Sequence, residues 1–188
     1  MVNYTCLETE RLVLKVLDSS FAPMVLDYFI RNKAFLLQWE TFRDDAFYST
    51  DFQRELLATE LQKMDEEQLF KVWIFEKSDK CFDKTIGSVA LNEIIRGCFH
   101  SCFLGYRMDE HKRNQGYMTE AVRAAIDYAF NILALHRIEA NIMPHNIASL
   151  RVVEKLGFIN EGLAKKYLKI NGRWEDHIHM VHLNESME

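Results

Sequence analysis

At 188 residues, 48% hydrophobic and 27% charged, the chain has an ordinary globular composition and enough length for one sizeable core, so residues 1–188 are read as one domain. A net charge of −5 argues against nucleic acid as an obligate partner, and no apolar run of roughly eighteen residues is present to cross a membrane. Met1-Val2-Asn3-Tyr4 lacks a secretory pattern, and Cys6, Cys81, Cys98 and Cys102 are scattered through a chain too long to need staples, so reduced thiols in the cytoplasm are expected.

Along the chain, Arg11 to Leu17 alternates like a strand. Ser19 and Ser20 can cap a helix running to about Arg31, with Phe21, Met24, Val25, Tyr28 and Phe29 on one face. Leu36, Leu37, Trp39 and Phe42 form an aromatic link. Thr50-x-x-Gln53 then reads as a capping box before a helix to about Glu67. Strands follow at Phe70–Lys77, Thr85–Ile95 and Ser101–Asp109, and a helix covers Thr119–Leu133. His136–Met143 reads as a strand and Asn146–Leu156 as a helix. Phe158–Ile170 and Asp176–Leu183 close the chain as a pair joined by Asn171-Gly172, a strong hairpin turn. An antiparallel meander followed by βαβα units predicts a mixed α/β (α+β) sheet of about seven strands.

The most informative stretch lies between the third strand of the meander and its helix, at Arg113-Asn114-Gln115-Gly116-Tyr117-Met118-Thr119. A strand feeding a helix through such a turn leaves main-chain N–H groups unpaired at the positive end of the helix dipole, which suits phosphate. Gly116 permits close approach of the backbone, and Arg113, with Lys112, adds positive charge. An ordinary helix cap accounts for the same residues. Neither a Walker A loop nor a dinucleotide fingerprint is present.

Cys98-Phe99-His100-Ser101-Cys102 lacks a further ligand at zinc-site spacing and falls where two strands meet, so no metal is expected. His177-Ile178-His179 sets two imidazoles on one strand face, again without a third ligand.

A second cluster, Asn146-Ile147-Ala148-Ser149 with Glu154-Lys155-Leu156-Gly157-Phe158, stands about thirty residues downstream of the turn. Together, from Glu10-Arg11-Leu12 onward, they resemble the GNAT superfamily of acyl-CoA-dependent N-acyltransferases. Gly116-Tyr117-Met118-Thr119-Glu120-Ala121, His136-Arg137-Ile138-Glu139-Ala140, Lys155-Leu156-Gly157-Phe158 and Glu161-Gly162 look like its RimJ/RimL-type branch, the ribosomal-protein N-terminal acetyltransferases.

The resemblance implies helices on both sheet faces and a splayed pair of parallel strands at a cofactor cleft. It implies acetyl-CoA, with the diphosphate on Arg113, Asn114, Gln115, Gly116, Tyr117, Met118 and Thr119. Met118 departs from the small residue usual there. The pantetheine arm would pair with main chain at Tyr106, Arg107 and Met108, like an added strand. Asn146 and Ser149 would lie near the thiol, although Asn146 also reads as a simple helix cap.

Direct acetyl transfer requires loss of an ammonium proton, donors for an oxyanion and a hydrogen bond for the departing sulfur. Many GNAT proteins carry a tyrosine seven residues after the asparagine; that position is Val153, so Ser149 is the candidate acid. Glu139 is the candidate base, its alternative being an ion pair with Arg137. Glu93, His100 and Asp176 are weaker candidates, and ordered water would also serve.

By resemblance, specificity comes from Phe35 to Phe52 and the closing hairpin. Trp39, Phe42, Phe47, Tyr48, Tyr167 and Trp174 offer aromatic surface there, and Asp44, Asp45 and Asp176 offer acidic groups. The expected partner is an amine, a protein N-terminus foremost, with no nucleic acid or membrane, and the chain acting as a monomer or homodimer. Acetylation of a small amine (amino acid, polyamine or antibiotic) and a non-catalytic acyl-CoA-binding module are the competing readings.

Overall fold

The computed structural model describes residues 6–187; the first residues, read above for a leader, lie outside them. Eight strands form one sheet: β1 (Cys6–Glu8), β2 (Leu12–Lys15), β3 (Leu69–Glu76), β4 (Gly87–Ile95), β5 (Ser101–Met108), β6 (Arg137–Ile142), β7 (Ile159–Ile170) and β8 (Arg173–Leu183). Their order is β1-β2-β3-β4-β5-β6-β8-β7. Neighbours are antiparallel from β1 to β5, β5 and β6 run parallel, and β8 returns antiparallel to both β6 and β7. The expected seven-strand count therefore gains β1, whose three partly exposed residues are too few to show an alternation.

The helices are α1 (Ala22–Arg31), α2 (Lys33–Leu36), α3 (Thr50–Asp65), α4 (Tyr117–Asn131) and α5 (Ile147–Lys155). Alternation along the strands sends side chains to opposite sides. On one side Phe70, Val72, Ile74, Val89, Leu91, Leu104 and Ile138 pack with Val122, Ala125 and Ala129 of α4 and Val153 of α5. On the other, Trp73 and Phe75 pack with Val25, Tyr28 and Phe29 of α1 and Leu57 of α3. Helices thus cover both faces because β3 is apolar on both, and its residues 69–75 are buried throughout.

Two caps differ from the sequence reading. Ser49, not Thr50, begins α3 by accepting from the Phe52 N–H at 3.3 Å. Gln53 is instead fully buried and donates to the Phe47 carbonyl at 2.7 Å. Asp18 rather than a serine caps the 3-10 turn Ser19–Phe21 that leads into α1. In both cases the apolar face was legible but the capping hydroxyl or carboxylate stood one residue earlier. The Asn171-Gly172 turn forms as expected, both residues left-handed at φ 47° and 83°. Among the described residues no helix is long and apolar enough to cross a membrane.

Candidate active site

β5 and β6 stay paired only from Ser101 to Phe103 against Arg137 to Glu139. Beyond that point the strands part, leaving the β6-side edge of residues 104–108 and the facing edge of Ala140–Ile142 without a ladder. A cavity of about 590 Å³ occupies the gap, lined from one side of the sheet by Tyr106, Met108 and Ser149 and from the other by Trp39, Glu40, Arg107, Asn141 and His177. It is a slot through the sheet.

At its α4 end, Gly116 is the N-cap in the left-handed conformation, φ 80°, and no side chain caps the helix. Among the described residues the main-chain N–H groups of Gly116, Tyr117, Met118 and Thr119 have no hydrogen-bond partner, while Glu120 N–H begins the helix on the Gly116 carbonyl at 3.1 Å. The turn is held from the bend just before β2: the Arg11 guanidinium donates to the Gln115 carbonyl at 2.9 Å and pairs with Glu120 at 2.7 Å, and lies 4.6 Å over the Tyr117 ring. That clamp was not foreseen, although Arg11 and Glu120 both sat in the motifs that carried the resemblance.

All the expected cofactor residues line the cavity except Gln115, whose side chain turns back to the His111 carbonyl at 3.2 Å. Arg113 is half exposed and lies 4.6 Å over the Phe35 ring; among the described residues its guanidinium otherwise meets only Glu110, donating to the carbonyl at 3.1 Å with the carboxylate 3.7 Å away, so much of its charge remains open to a ligand. Lys112 is held by Glu76 at 2.6 Å. The Met118 side chain is buried in the core beneath α4, which is why a large residue fits there. The Arg107 side chain leaves the gap for the opposite face, where it pairs with Glu40.

Asn146 caps α5, its Oδ1 accepting from the Ser149 N–H at 3.2 Å, and lines the cavity as well. Ser149 is engaged rather than free. Its Oγ lies 2.7 Å from the Tyr106 hydroxyl, which also donates to the Ser149 carbonyl at 3.0 Å. Burial pushes the Tyr106 phenol up to about 12, the serine hydrogen bond opposing only part of that. A phenol therefore stands beside the expected acid. Val153 is fully buried in the core and brings no hydroxyl to the slot.

Glu139 does not line the cavity. It accepts from Arg137 at 2.8 Å, the ion-pair alternative named above, and Arg137 extends the pairing to Glu161. Glu93, His100 and Asp176 are also absent from the lining, and Asp176 accepts from the Lys166 N–H at 2.8 Å. Phe47 is core and Tyr48 packs against it, whereas Phe42 and Trp174 are exposed. The hairpin tip is pinned to the segment after α2: Asn171 accepts from the Phe42 N–H at 2.6 Å and donates to the Leu37 carbonyl at 2.8 Å.

The cavity wall does carry groups that sequence reasoning passed over. His177 is 3% exposed, and its Nδ1 lies 3.1 Å from the Glu175 carbonyl. Asn141 donates to the Tyr167 hydroxyl at 3.3 Å, and its Oδ1 is buried without a partner among the described residues. Glu40 is held between Arg107 and Arg43; burial raises its carboxyl, but the two guanidiniums outweigh that and hold it below the usual range. Among the described residues no group of three or more His, Cys, Asp or Glu is placed to hold a metal ion, and all four cysteines are free.

A sequence model of the acetyltransferase (GNAT) domain matches residues 11–159. The chain is 43% identical over 157 residues to the probable N-acetyltransferase YjcK of Bacillus subtilis, covering 84% of this chain and 85% of that protein. It is 37% identical over 174 residues to the ribosomal protein uS5-alanine N-acetyltransferase of Escherichia coli, covering 92% of this chain and 87% of the other. The crystal structure of ribosomal-protein-S5-alanine acetyltransferase from Vibrio fischeri superposes with a TM-score of 0.91 at 35% identity, covering 98% of this chain and 99% of that one.

Proposed function

The chain belongs to the GNAT acetyltransferase family and is an acetyl-CoA-dependent N-acetyltransferase, and on that premise we propose that its acceptor is the α-amine of a protein N-terminus, an alanine-led ribosomal one foremost. The observation that carries the acceptor is the 37% identity, over 92% of this chain, to a uS5-alanine acetyltransferase. Four unpaired cysteines fit a reducing cytoplasm.

The slot fits the donor. Free N–H groups at Gly116–Thr119, with the α4 dipole and Arg113, would hold the diphosphate. The unpaired edge of Tyr106–Met108 would take the amide-bearing arm as a strand takes its neighbour. Asn146 and Ser149 would border the thioester end. When bound, acetyl-CoA supplies an activated acetyl group on a thiol leaving group.

The remaining steps fall to the chain. Main-chain N–H groups along the parted strands can donate to the oxygen that gains charge. Tyr106 has one proton and two acceptors in reach, the Ser149 carbonyl and its Oγ. When the phenol donates to Oγ, the serine proton is released toward the departing sulfur. Glu40, Arg107 and Trp39 border the opposite mouth, where the acceptor enters.

The test is mass spectrometry of peptides incubated with enzyme and acetyl-CoA. A peptide with a free N-terminal alanine should gain one acetyl group at its α-amine, and its Nα-blocked, lysine-containing twin should not. Acetylation of spermidine or an aminoglycoside in preference to every peptide would replace this acceptor with a small amine.

A further inference from the structure

We propose that His177 is the base that takes the proton from the acceptor's ammonium. This deepens the functional reading above and rests on it. The cavity wall narrows the choice. Glu139 is off the wall and paired with Arg137, and Glu40 is neutralised by two guanidiniums. His177 lines the cavity, and its Nδ1–H donates to the Glu175 carbonyl, which leaves Nε2 with the lone pair. Asn141, on the neighbouring strand, also lines that wall, and its Oδ1 is a buried acceptor without a donor among the described residues.

The protonation state agrees. Burial lowers the His177 pKa from its ordinary 6.5, opposed by the Glu175 carbonyl and by the Glu175 and Asp176 charges, while His179 lowers it further. The Tyr167 ring lies 5.6 Å away on the same hairpin, and Arg107 and Glu40 share the cavity as an ion pair. The ring is therefore neutral at pH 7.

In the step, Nε2 takes one proton from the ammonium. The freed lone pair forms the C–N bond to the acetyl carbon as the C–S bond breaks. The nitrogen's second proton passes to the leaving sulfur by way of the Ser149 hydroxyl, and His177 returns its proton to solvent.

His177→Asn keeps a side-chain N–H for the Glu175 carbonyl and removes Nε2. Expected is a fall in kcat of roughly 100-fold at pH 7, the size of a lost general base. Acetyl-CoA affinity by calorimetry should be unchanged. The deficit should shrink as pH rises past the acceptor α-amine's own pKa of about 7.7–8.0, where the free amine needs no base. Two-bond proton–nitrogen NMR of the unliganded wild type should find the His177 proton on Nδ1, with a titration midpoint below 6.5. Unchanged kcat, a deficit independent of pH, or a neutral ring carrying its proton on Nε2 would overturn the assignment; the NMR result decides it even should the variant not fold. Failure of the wild type to bind acetyl-CoA would sink the functional reading instead.

Discussion

A serine hydroxyl is a weak acid, and the neighbourhood of Ser149 bears directly on whether it can assist a departing thiol. Its Oγ is 2.7 Å from a phenol that burial keeps protonated. Ser149→Ala is therefore expected to lower kcat on the order of tenfold or more while leaving calorimetric acetyl-CoA affinity nearly intact, since thiolate needs a hydrogen bond more than full proton transfer. Tyr106→Phe should reproduce most of that fall. The double variant should be little worse than either single one, because the two groups act as one donor chain. Additive losses would show that the phenol works on something other than Ser149. The sequence made half of this legible. Val153 announced that the usual tyrosine was missing, and Ser149 stood in a motif. Tyr106 was named only for its main chain; its phenol did not announce itself, because it comes from β5, 43 positions away, and nothing in local spacing predicts which side chain meets a helix N-terminus. His177 was hidden for a related reason: a histidine two residues from another, with no third ligand nearby, reads as a surface or partly buried side chain, whereas what sets it apart is a carbonyl partner and a cavity wall.

The strand–turn–helix at Gly116 shows what an element contributes that no single side chain does. Its φ of 80° suits a residue without Cβ, and an added Cβ would also lie 3.2 Å from the Arg11 guanidinium. Gly116→Ala is expected to weaken acetyl-CoA binding by roughly tenfold, from about 1–2 kcal/mol of left-handed strain that pulls the donors of α4 out of line. Calorimetry on the variant checks this, and an unchanged affinity would mean that the diphosphate lies elsewhere. The same turn was readable in advance because a strand pattern, a glycine and a helix pattern abut there. The Arg11 clamp was not, since it joins residues 104 and 109 positions apart. At the other end of the slot, the Asn171 bonds tie the β7–β8 hairpin to the segment after α2. Asn171→Gly keeps a turn-competent residue and deletes both ties. It should raise KM for a peptide acceptor several-fold with acetyl-CoA affinity unchanged; an unchanged KM would place the acceptor entrance away from these two loops.

Across the whole molecule, charges set into the two faces of one sheet link elements far apart in the chain, and their protonation couples fold stability to pH. Lys71 of β3 is buried on the α3 side and paired with Glu60, and burial drags its pKa below the ordinary 10.5 despite that partner. Removing the partner alone by Glu60→Ala should cost about 3–5 kcal/mol in denaturant unfolding, whereas Lys71→Met with Glu60→Leu should be near neutral, since a hydrophobic replacement escapes the desolvation that a buried pair must overcome. The carboxylates govern the acid side. Asp109, 4% exposed in its side chain, joins the end of β5 to α1 by accepting from Arg31 at 2.8 Å and from the His111 N–H at 2.9 Å. Burial raises its carboxyl, yet these donors and Asn32 hold it below 3.8; Glu120, under Arg11 and Thr9, is likewise held below 4.5. A carboxylate depressed in the folded state contributes fully above its unfolded pKa and loses that contribution as pH falls through the folded value. The melting temperature should therefore begin to decline below about pH 6.5, where the unfolded chain takes up protons that burial withholds from His177 and His182 in the fold, and drop steeply below about pH 4 as the carboxylates protonate. Asp109→Asn should lower stability at pH 7 by about 1.5–3 kcal/mol, the range for hydrogen bonds to a charged group. The gap between variant and wild type should then narrow on acidification, because the wild type alone has that proton to take up; a gap constant from neutrality to pH 3 would place the acid limb on other groups.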